Sequence, residues 1–170
     1  MTTTDQSTLG YSFAMRSSVG RVRSTNEDFC TASSENGIFV VCDGMGGAAA
    51  GEVASQLAAT TFVQQLESTL LIADEIESSL KVAVKAANQA VHERTAESSS
   101  TRGMGTTLVA LLAREQGRKL WGTYVGDSRF YRRRAGTLTQ MSRDHSLVEE
   151  QIAAGQLTRE QADRSPMRNI

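Results

Sequence analysis

Apolar positions near the start of the chain predict a β-hairpin. The stretches "YSFAMRSS" at 11–18 and "FCTASS" at 29–34 have the apolar and aromatic content of strands. The turn "ENG" follows the second stretch, and then comes "IFVVC" at 38–42, which is apolar at every position. Such a run is typical of a strand that is buried on both faces. Asp43 therefore ends a predicted central strand.

The hydrophobic spacing then changes to that of helices. Residues 52–67 predict one helix, and residues 72–97 predict a second. The apolar stripe of the second helix is expected to face inward, with Ile76, Leu80, Val84 and Val91. The polar loop "ESSSTRG" ends it, and strands resume in "GTTLVALLA", "LWGTYVGDSRFYRRR" and "TLTQM". In the tail, Ser146 and Thr158 are predicted to cap two short helical segments, with Gly155 between them.

The order of these elements predicts the fold class. Strands come first, then two helices, then strands again, without the alternation of strand and helix that gives parallel sheets. We therefore expect an α+β protein whose sheet is largely antiparallel and carries helices packed over it. The length of 170 residues and the absence of a repeat or long linker favour a single domain over residues 1–170.

Composition narrows the class of partner. Hydrophobic residues make up 39% of the chain, charged residues 22%, and the net charge is −1, so composition indicates neither disorder nor a nucleic-acid partner. The first residues, "MTTTDQSTLGYSF", have neither a basic stretch nor an apolar core of the kind found in secretory signals. The longest apolar run, "LVALLA", is too short to cross a membrane. We expect a cytoplasmic protein without a membrane partner.

Two cysteines, Cys30 and Cys42, lie within predicted strands. They lack CxxC spacing and histidine neighbours, so we interpret them as buried thiols that act as small hydrophobic groups. Neither is expected to bind a metal or form a disulfide.

A glycine-rich loop follows Asp43 and invites a comparison with nucleotide-binding loops. Read loosely, "GMGGAA" fits GxGxxA between a strand and a helix. However, the aspartate directly before the glycines would repel a pyrophosphate, and the position about 20 residues later lies inside a predicted helix instead of following a second parallel strand. We therefore expect no protection by NAD against thermal unfolding.

Four carboxylates fall at predicted strand ends. Glu27 and Asp28 begin the strand that pairs with the one carrying Asp43, and Asp127 follows another apolar strand in "YVGDSRFY". Grouped carboxylates are typical of sites for Mg²⁺ or Mn²⁺, whereas zinc prefers cysteine and histidine. Arg23 lies four residues before Glu27, and two roles are open for it. It either pairs with these carboxylates or holds a phosphate with its two-pronged donor face.

Together these motifs resemble those of a known family, the metal-dependent Ser/Thr protein phosphatases of the protein phosphatase 2C type, and its bacterial branch in particular. The motifs "RSTNED", "DGMGG" with "GEVAS" after it, "GMGTTL", "VGDSRFY" and "LTQMSRDHSLV" occur in the family's order across nearly the whole chain. The resemblance implies a four-layer α-β-β-α sandwich, in which two mainly antiparallel sheets are flanked by helices. It also implies that the protein hydrolyses phosphoserine and phosphothreonine in phosphorylated protein substrates.

The same resemblance assigns roles to individual residues. Asp43 would bridge two Mn²⁺ or Mg²⁺ ions, Gly44 would offer its carbonyl to one of them, and Glu27 and Asp28 would bind metal directly or through water. Arg23 would hold the substrate phosphate, so that Arg23, Asp28 and Asp43 form the implied catalytic set. Asp127 matches a ligand of a third, weaker metal, and Thr107 would lie near the same cleft. The implied nucleophile is a metal-activated water, in agreement with the absence of a Ser/His/Asp or Cys-based constellation.

Two departures from the family pattern limit these expectations. Met45 replaces a histidine that serves as a proton donor in animal relatives, and His92 and His145 are expected to have packing or capping roles. Family members also continue beyond the position that corresponds to residue 170, through two further aspartates that complete one metal position.

We therefore expect a chain that is incomplete at its C-terminus, lacking its last strands, with one metal position incomplete and activity impaired. The alternative is a catalytically inactive phosphoprotein-binding fragment or pseudophosphatase. Open strand edges would then permit self-association.

Overall fold

A computed structural model describes residues 10–46, 50–71 and 75–167 of the chain. The chain divides into two compact units, residues 1–123 and 124–170. The expectation of one phosphatase-type domain stays a prediction. None of the helices in the described ranges is long and apolar enough to cross a membrane.

The first unit is built on an antiparallel sheet. Strand β2 lies between β1 and β4, β3 pairs with the last two residues of β2, and β5 follows β4 at the far edge. The strands are β1 (Asp28–Ser33), β2 (Ile38–Met45), β3 (Gly105–Thr106), β4 (Leu108–Arg114) and β5 (Lys119–Val125), the last of which crosses into the second unit. The predicted β1–β2 hairpin and the central place of β2 are confirmed.

Helix α1 (Ala50–Leu70) packs against this sheet, and α2 (Ile76–Glu97) packs against α1. Helix α1 presents Ala54, Ala58, Phe62 and Leu66, which repeat every fourth residue and are each at most 3% exposed. The stripe predicted for α2 is confirmed, because Leu80 and Val91 are buried and Ile76 and Val84 pack against the same core. A short 3₁₀ turn, Ser99–Thr101, follows α2 within the predicted polar loop. Residues 72–74 of the predicted second helix lie outside the described residues.

The prediction that β2 is buried on both faces is wrong. Ile38, Val40 and Cys42 are at most 1% exposed and belong to the core, whereas Val41 is 49% exposed. Successive side chains of a strand point to opposite faces, and helix α1 covers the face that carries Ile38, Val40 and Cys42. An unbroken apolar run therefore did not require two covered faces.

The predicted strand at 11–18 is also absent from the structure. This segment contacts the sheet through its side chains, since the rings of Tyr11 and Phe13 lie 5.8 and 4.9 Å from the ring of Phe39. The Tyr11 hydroxyl donates to the Ser34 carbonyl oxygen at 3.0 Å. The apolar residues that indicated a strand here serve ring packing instead of a backbone ladder.

The second unit contains a hairpin and two short helices. Strands β6 (Tyr131–Arg134) and β7 (Thr137–Gln140) meet at Ala135 and Gly136, whose φ angles of 47° and 82° suit a tight hairpin turn. Helix α3 (Leu147–Ala153) begins after Ser146, which accepts from the Glu149 amide, and α4 (Arg159–Asp163) begins after a capping box formed by Thr158. Both predicted caps are confirmed, and Gly155 follows α3 with a φ of +71°.

Two glycines let α1 approach β2 closely. A Cβ built on Gly44 would lie 2.0 Å from the Gly51 carbonyl oxygen and 2.7 Å from the Glu27 carbonyl oxygen. A Cβ built on Gly51 would lie 3.0 Å from the Gly44 carbonyl carbon. We call this the glycine contact. It places the first turn of α1 directly against the end of β2 that carries Asp43.

We expect Gly44→Ala to lower the free energy of unfolding by about 1–3 kcal/mol or more, because the added methyl group meets backbone that is fixed in both elements. The matched control is Gly105→Ala, where the nearest atom to a new Cβ is the movable terminal methyl of Met45 at 2.7 Å. Urea unfolding followed by circular dichroism measures both variants. Equal midpoints for the two variants would contradict the glycine contact.

Candidate metal and phosphate site

The β1–β2 hairpin places Asp28 directly opposite Asp43. The Gly44 amide donates to the Glu27 carbonyl oxygen at 3.0 Å, one residue outside this pair. That pattern marks a non-hydrogen-bonded pair, in which the Cα atoms approach to about 4.5 Å and the side chains share one face. Both residues are exposed. Two like charges directly opposite each other repel, so this position favours a bound cation.

The backbone of Asp43 is fixed from its other side by the start of β4. Its amide donates to Thr107 Oγ1 at 3.0 Å, and its carbonyl oxygen accepts from the Thr107 amide at 2.9 Å and from Thr106 Oγ1 at 3.0 Å. The structure thus places Thr107 beside Asp43, as expected. Thr106 has a similar role that the sequence reasoning missed, although both threonines belong to the quoted motif "GMGTTL".

Glu27 points to different neighbours from those of Asp28. Its Oε2 accepts from Arg23 Nη1 at 3.0 Å, and its Oε1 would lie 2.6 Å from a Cβ on Gly51 in the first turn of α1. Helix N-termini favour negative charge, so the Glu27 carboxylate is stabilised by both the arginine and the helix. Its side chain is only 18% exposed, whereas that of Arg23 is 66% exposed. Of the two roles open for Arg23, the structure shows the pairing with a carboxylate.

Asp127 belongs to the second unit, directly after β5. The residue before it, Gly126, is held twice by His145: the Gly126 amide donates to His145 Nδ1 at 3.3 Å, and the His145 amide donates to the Gly126 carbonyl oxygen at 3.0 Å. The ring of His145 also packs on that of Tyr124, with 5.1 Å between the centroids. The expected packing role of His145 is confirmed, and because Nδ1 accepts here, its proton is on Nε2.

The donor set decides what kind of ion fits. In ranges 10–46, 50–71 and 75–167, no three His, Cys, Asp or Glu side chains come together as a metal-binding group. The strand register brings two carboxylate donors together, Asp28 and Asp43, and carboxylate oxygens suit an oxygen-seeking divalent ion. A site that also includes Glu27, Gly44 and Asp127 stays a prediction.

The cysteines do not compete for this role. Cys42 is completely buried among the core side chains, and this burial raises the pKa of its thiol to about 12, so it remains protonated at neutral pH. Cys30 is partly buried, and neither residue forms a disulfide. The interpretation as a buried hydrophobic group is confirmed for Cys42, which belongs to the core. Met45, in contrast, is 66% exposed at the end of β2, next to the site.

Comparison with known proteins establishes the family. The family model described as protein phosphatase 2C matches residues 18–166, so the chain belongs to the protein phosphatase 2C family. It is 38% identical over 165 residues to the serine/threonine protein phosphatase PstP of Mycobacterium tuberculosis, an alignment that covers 96% of this chain and 30% of PstP. The chain thus spans less than a third of that relative.

Solved structures agree with this assignment. The crystal structure of the M. tuberculosis phosphatase PstP/Ppp aligns with a TM-score of 0.78 at 38% identity, covering 91% of this chain and 63% of that one. A structure of the PstP catalytic domain in complex with two manganese ions aligns with a TM-score of 0.73 at 37% identity, covering 86% and 61%. The predicted family and α+β sandwich fold class are confirmed.

We expect Asp28→Asn to raise the stability of the metal-free protein, by about 0.2–1 kcal/mol at low ionic strength, because it removes the repulsion across the hairpin. We also expect Mn²⁺ to raise the melting temperature of the wild type far more than that of this variant, since a ligand that binds only the folded state stabilises it. Thermal unfolding with and without Mn²⁺ measures both effects. Glu35→Gln, in the turn at the other end of the hairpin, is the matched control. A variant that loses metal-free stability, or that keeps the full response to Mn²⁺, would contradict the assignment.

Proposed function

We propose that this protein hydrolyses phosphoserine and phosphothreonine in phosphorylated proteins in a divalent-metal-dependent reaction. The observation that carries the proposal is the pair of exposed carboxylates, Asp28 and Asp43, held opposite each other in a chain of the protein phosphatase 2C family. The relatives in this family are serine/threonine protein phosphatases, and one of their structures contains two manganese ions.

Asp28 and Asp43 would hold the ion or ions, with Gly44 and Glu27 as the further donors that the family resemblance implies. Divalent ions at such a site supply Lewis acidity, which lowers the pKa of water and neutralises charge on phosphoryl oxygens. The residues of the chain supply the placement. The hairpin register fixes where the two carboxylates face each other, and the threonines of β3 and β4 fix the backbone of Asp43.

Arg23 would bind the phosphoryl group. Only its Nη1 is engaged by Glu27, and its Nε and Nη2 make no hydrogen bond with the described residues. The guanidinium is therefore oriented by Glu27 while keeping donors for two phosphate oxygens. Since the arginine side chain is 66% exposed, a phosphorylated side chain on a protein surface can approach it.

The nucleophile would be water instead of a side chain of the protein. Cys42 is buried and protonated, so it cannot attack phosphorus. His145 contacts Gly126 and Tyr124, and its Nδ1 is already an acceptor, so it does not form a base–nucleophile pair through that atom. Asp127 remains a proposed ligand for a third, weaker metal.

A second candidate function is phosphoprotein binding without turnover. It is favoured by the donors at the site, since Asp28 and Asp43 form a pair of carboxylates and no group of three His, Cys, Asp or Glu side chains occurs within residues 10–46, 50–71 and 75–167. A site with fewer ligands would bind a second ion weakly and yet keep Arg23 for the phosphate. Self-association through the edge of β1, which in the described part of the chain pairs with β2 alone, stays a further prediction.

We expect this chain to release phosphate from a phosphothreonine peptide in the presence of Mn²⁺, and we expect EDTA to abolish the release. Asp43→Ala should lower the rate about a hundredfold to a thousandfold, since metal ions contribute several kcal/mol to phosphoryl transfer. Malachite-green detection of phosphate under steady-state conditions gives the rates, and Glu35→Gln is the control.

The outcomes separate the two candidates. Phosphate release that is unchanged in Asp43→Ala would contradict the proposed site. Peptide binding that requires Arg23, without release of phosphate, would contradict the enzyme and support the binding function. A chain that neither binds the peptide nor releases phosphate would exclude both.

A further inference from the structure

The loop that carries Arg23 is closed by one side-chain hydrogen bond. Asn26 Nδ2 donates to Ser17 Oγ at 2.7 Å, so residues 18–25 form a loop whose two ends are tied together. Gly20 turns the chain within this loop, with a φ of +77°. Arg23 lies three residues before Asn26, on the side of the loop that leads into β1. The position of the guanidinium therefore depends on how this loop is held.

The same asparagine also holds the start of β1. The Asp28 amide donates to Asn26 Oδ1 at 3.2 Å, which is the local turn that Asn and Asp form with the amide two residues later. A backbone amide can only donate, so this contact fixes Oδ1 toward Asp28 and leaves Nδ2 for Ser17. One side chain thus connects the loop of Arg23 with the residue that faces Asp43.

We propose that Asn26 is a positioning residue, which sets the place of Arg23 relative to the carboxylate pair Asp28 and Asp43. This inference rests on the function proposed above. The ion pair between Arg23 and Glu27 orients the guanidinium, but both partners are long side chains and Arg23 is largely exposed, so the pair alone fixes the loop weakly. Asn26 adds two hydrogen bonds, one to Ser17 just before residues 18–25 and one to the Asp28 amide at the start of β1.

An amide of this length makes both contacts without adding charge. Aspartate could make them only with the Ser17 hydroxyl as the donor and would add a negative charge beside Asp28, and serine is too short to reach in both directions. Alanine removes both contacts. Ser17→Ala removes only the contact that closes the loop and leaves the turn at Asp28 in place. Comparing the two variants therefore separates the effect of closing the loop of Arg23 from the effect of holding the Asp28 amide.

The test measures the full chain and four variants: Ser17→Ala, Asn26→Ala, the double variant, and Ser24→Ala as an exposed control in the same loop. Ser17→Ala should raise KM for a phosphothreonine peptide about fivefold, the loss expected for one hydrogen bond, and leave kcat unchanged. It should leave the affinity for Mn²⁺, measured by isothermal titration calorimetry, unchanged.

Asn26→Ala should raise KM at least as much and should also weaken Mn²⁺ binding, because Asp28 loses its backbone contact. The double variant should match Asn26→Ala, since the two residues share one hydrogen bond.

Two further measurements distinguish a local loss of positioning from a general loss of structure. Amide hydrogen exchange of residues 18–25 should accelerate in Ser17→Ala and Asn26→Ala but not in Ser24→Ala, with the melting temperature of Ser17→Ala close to that of the wild type. Titration with inorganic phosphate in the presence of Mn²⁺ should follow the KM values.

Additive effects of the two substitutions, or a KM of Ser17→Ala equal to that of the wild type, would overturn the positioning role. If the wild type binds phosphate without turnover, only the catalytic half of the proposed function fails, and the phosphate titration of the variants still decides the role of Asn26. A wild type that binds no phosphate would overturn both.

Discussion

The pairing register of β1 and β2 places Asp28 against Asp43, and the rest of the candidate site follows from that register. A shift of one residue would turn every side chain of β1 to the other face, so the register must be held by something stronger than the repulsion of two carboxylates. The core supplies this, because Ile38, Val40 and Cys42 are buried on the helix side of β2. Each apolar side chain buried in this way contributes about 1.5–3 kcal/mol, whereas a like-charged cross-strand pair costs about 0.2–1 kcal/mol. The apolar face therefore fixes the position of the polar one.

The close approach of α1 to β2 also places the N-terminus of α1 beside Glu27. Glycine at positions 44 and 51 allows the backbones to touch, and the buried alanines Ala54 and Ala58 of α1 continue that close packing along the sheet. Glu27 lies beside this contact, where both the helix N-terminus and Arg23 stabilise its charge. Consecutive residues thus serve different purposes: Glu27 orients an arginine on the helix side, and Asp28 faces a second carboxylate on the other side.

Much of this arrangement was predictable because its signals are local. The hairpin turn, the stripe of α2 and the caps at Ser146 and Thr158 depend on residues within a few positions of one another, and the structure confirms them. The errors concern partners that are distant in sequence. Whether Val41 is covered depends on which faces the helices reach, and residues 11–18 lack a strand because their rings, not their backbone, contact the sheet. The role of Asn26 was not predicted, because its turn with Asp28 is a local signal but its second contact, to Ser17, joins residues nine positions apart.

The site also shows why charge alone is a poor guide to what a phosphatase-type chain can bind. The formal charges of Arg23 and Glu27 cancel, yet only one nitrogen of the guanidinium, Nη1, donates to Glu27 among the described residues. Asp28 and Asp43 carry the same charge, and in addition to the buried core the backbone of each is fixed by a neutral partner, Asn26 for Asp28 and Thr107 for Asp43. Neutral hydrogen-bonding side chains therefore help the core to hold the charged ones in place. A substitution at one of these neutral positions changes no charge in the site, but it removes a constraint on the charged groups that we propose to bind a metal and a phosphate.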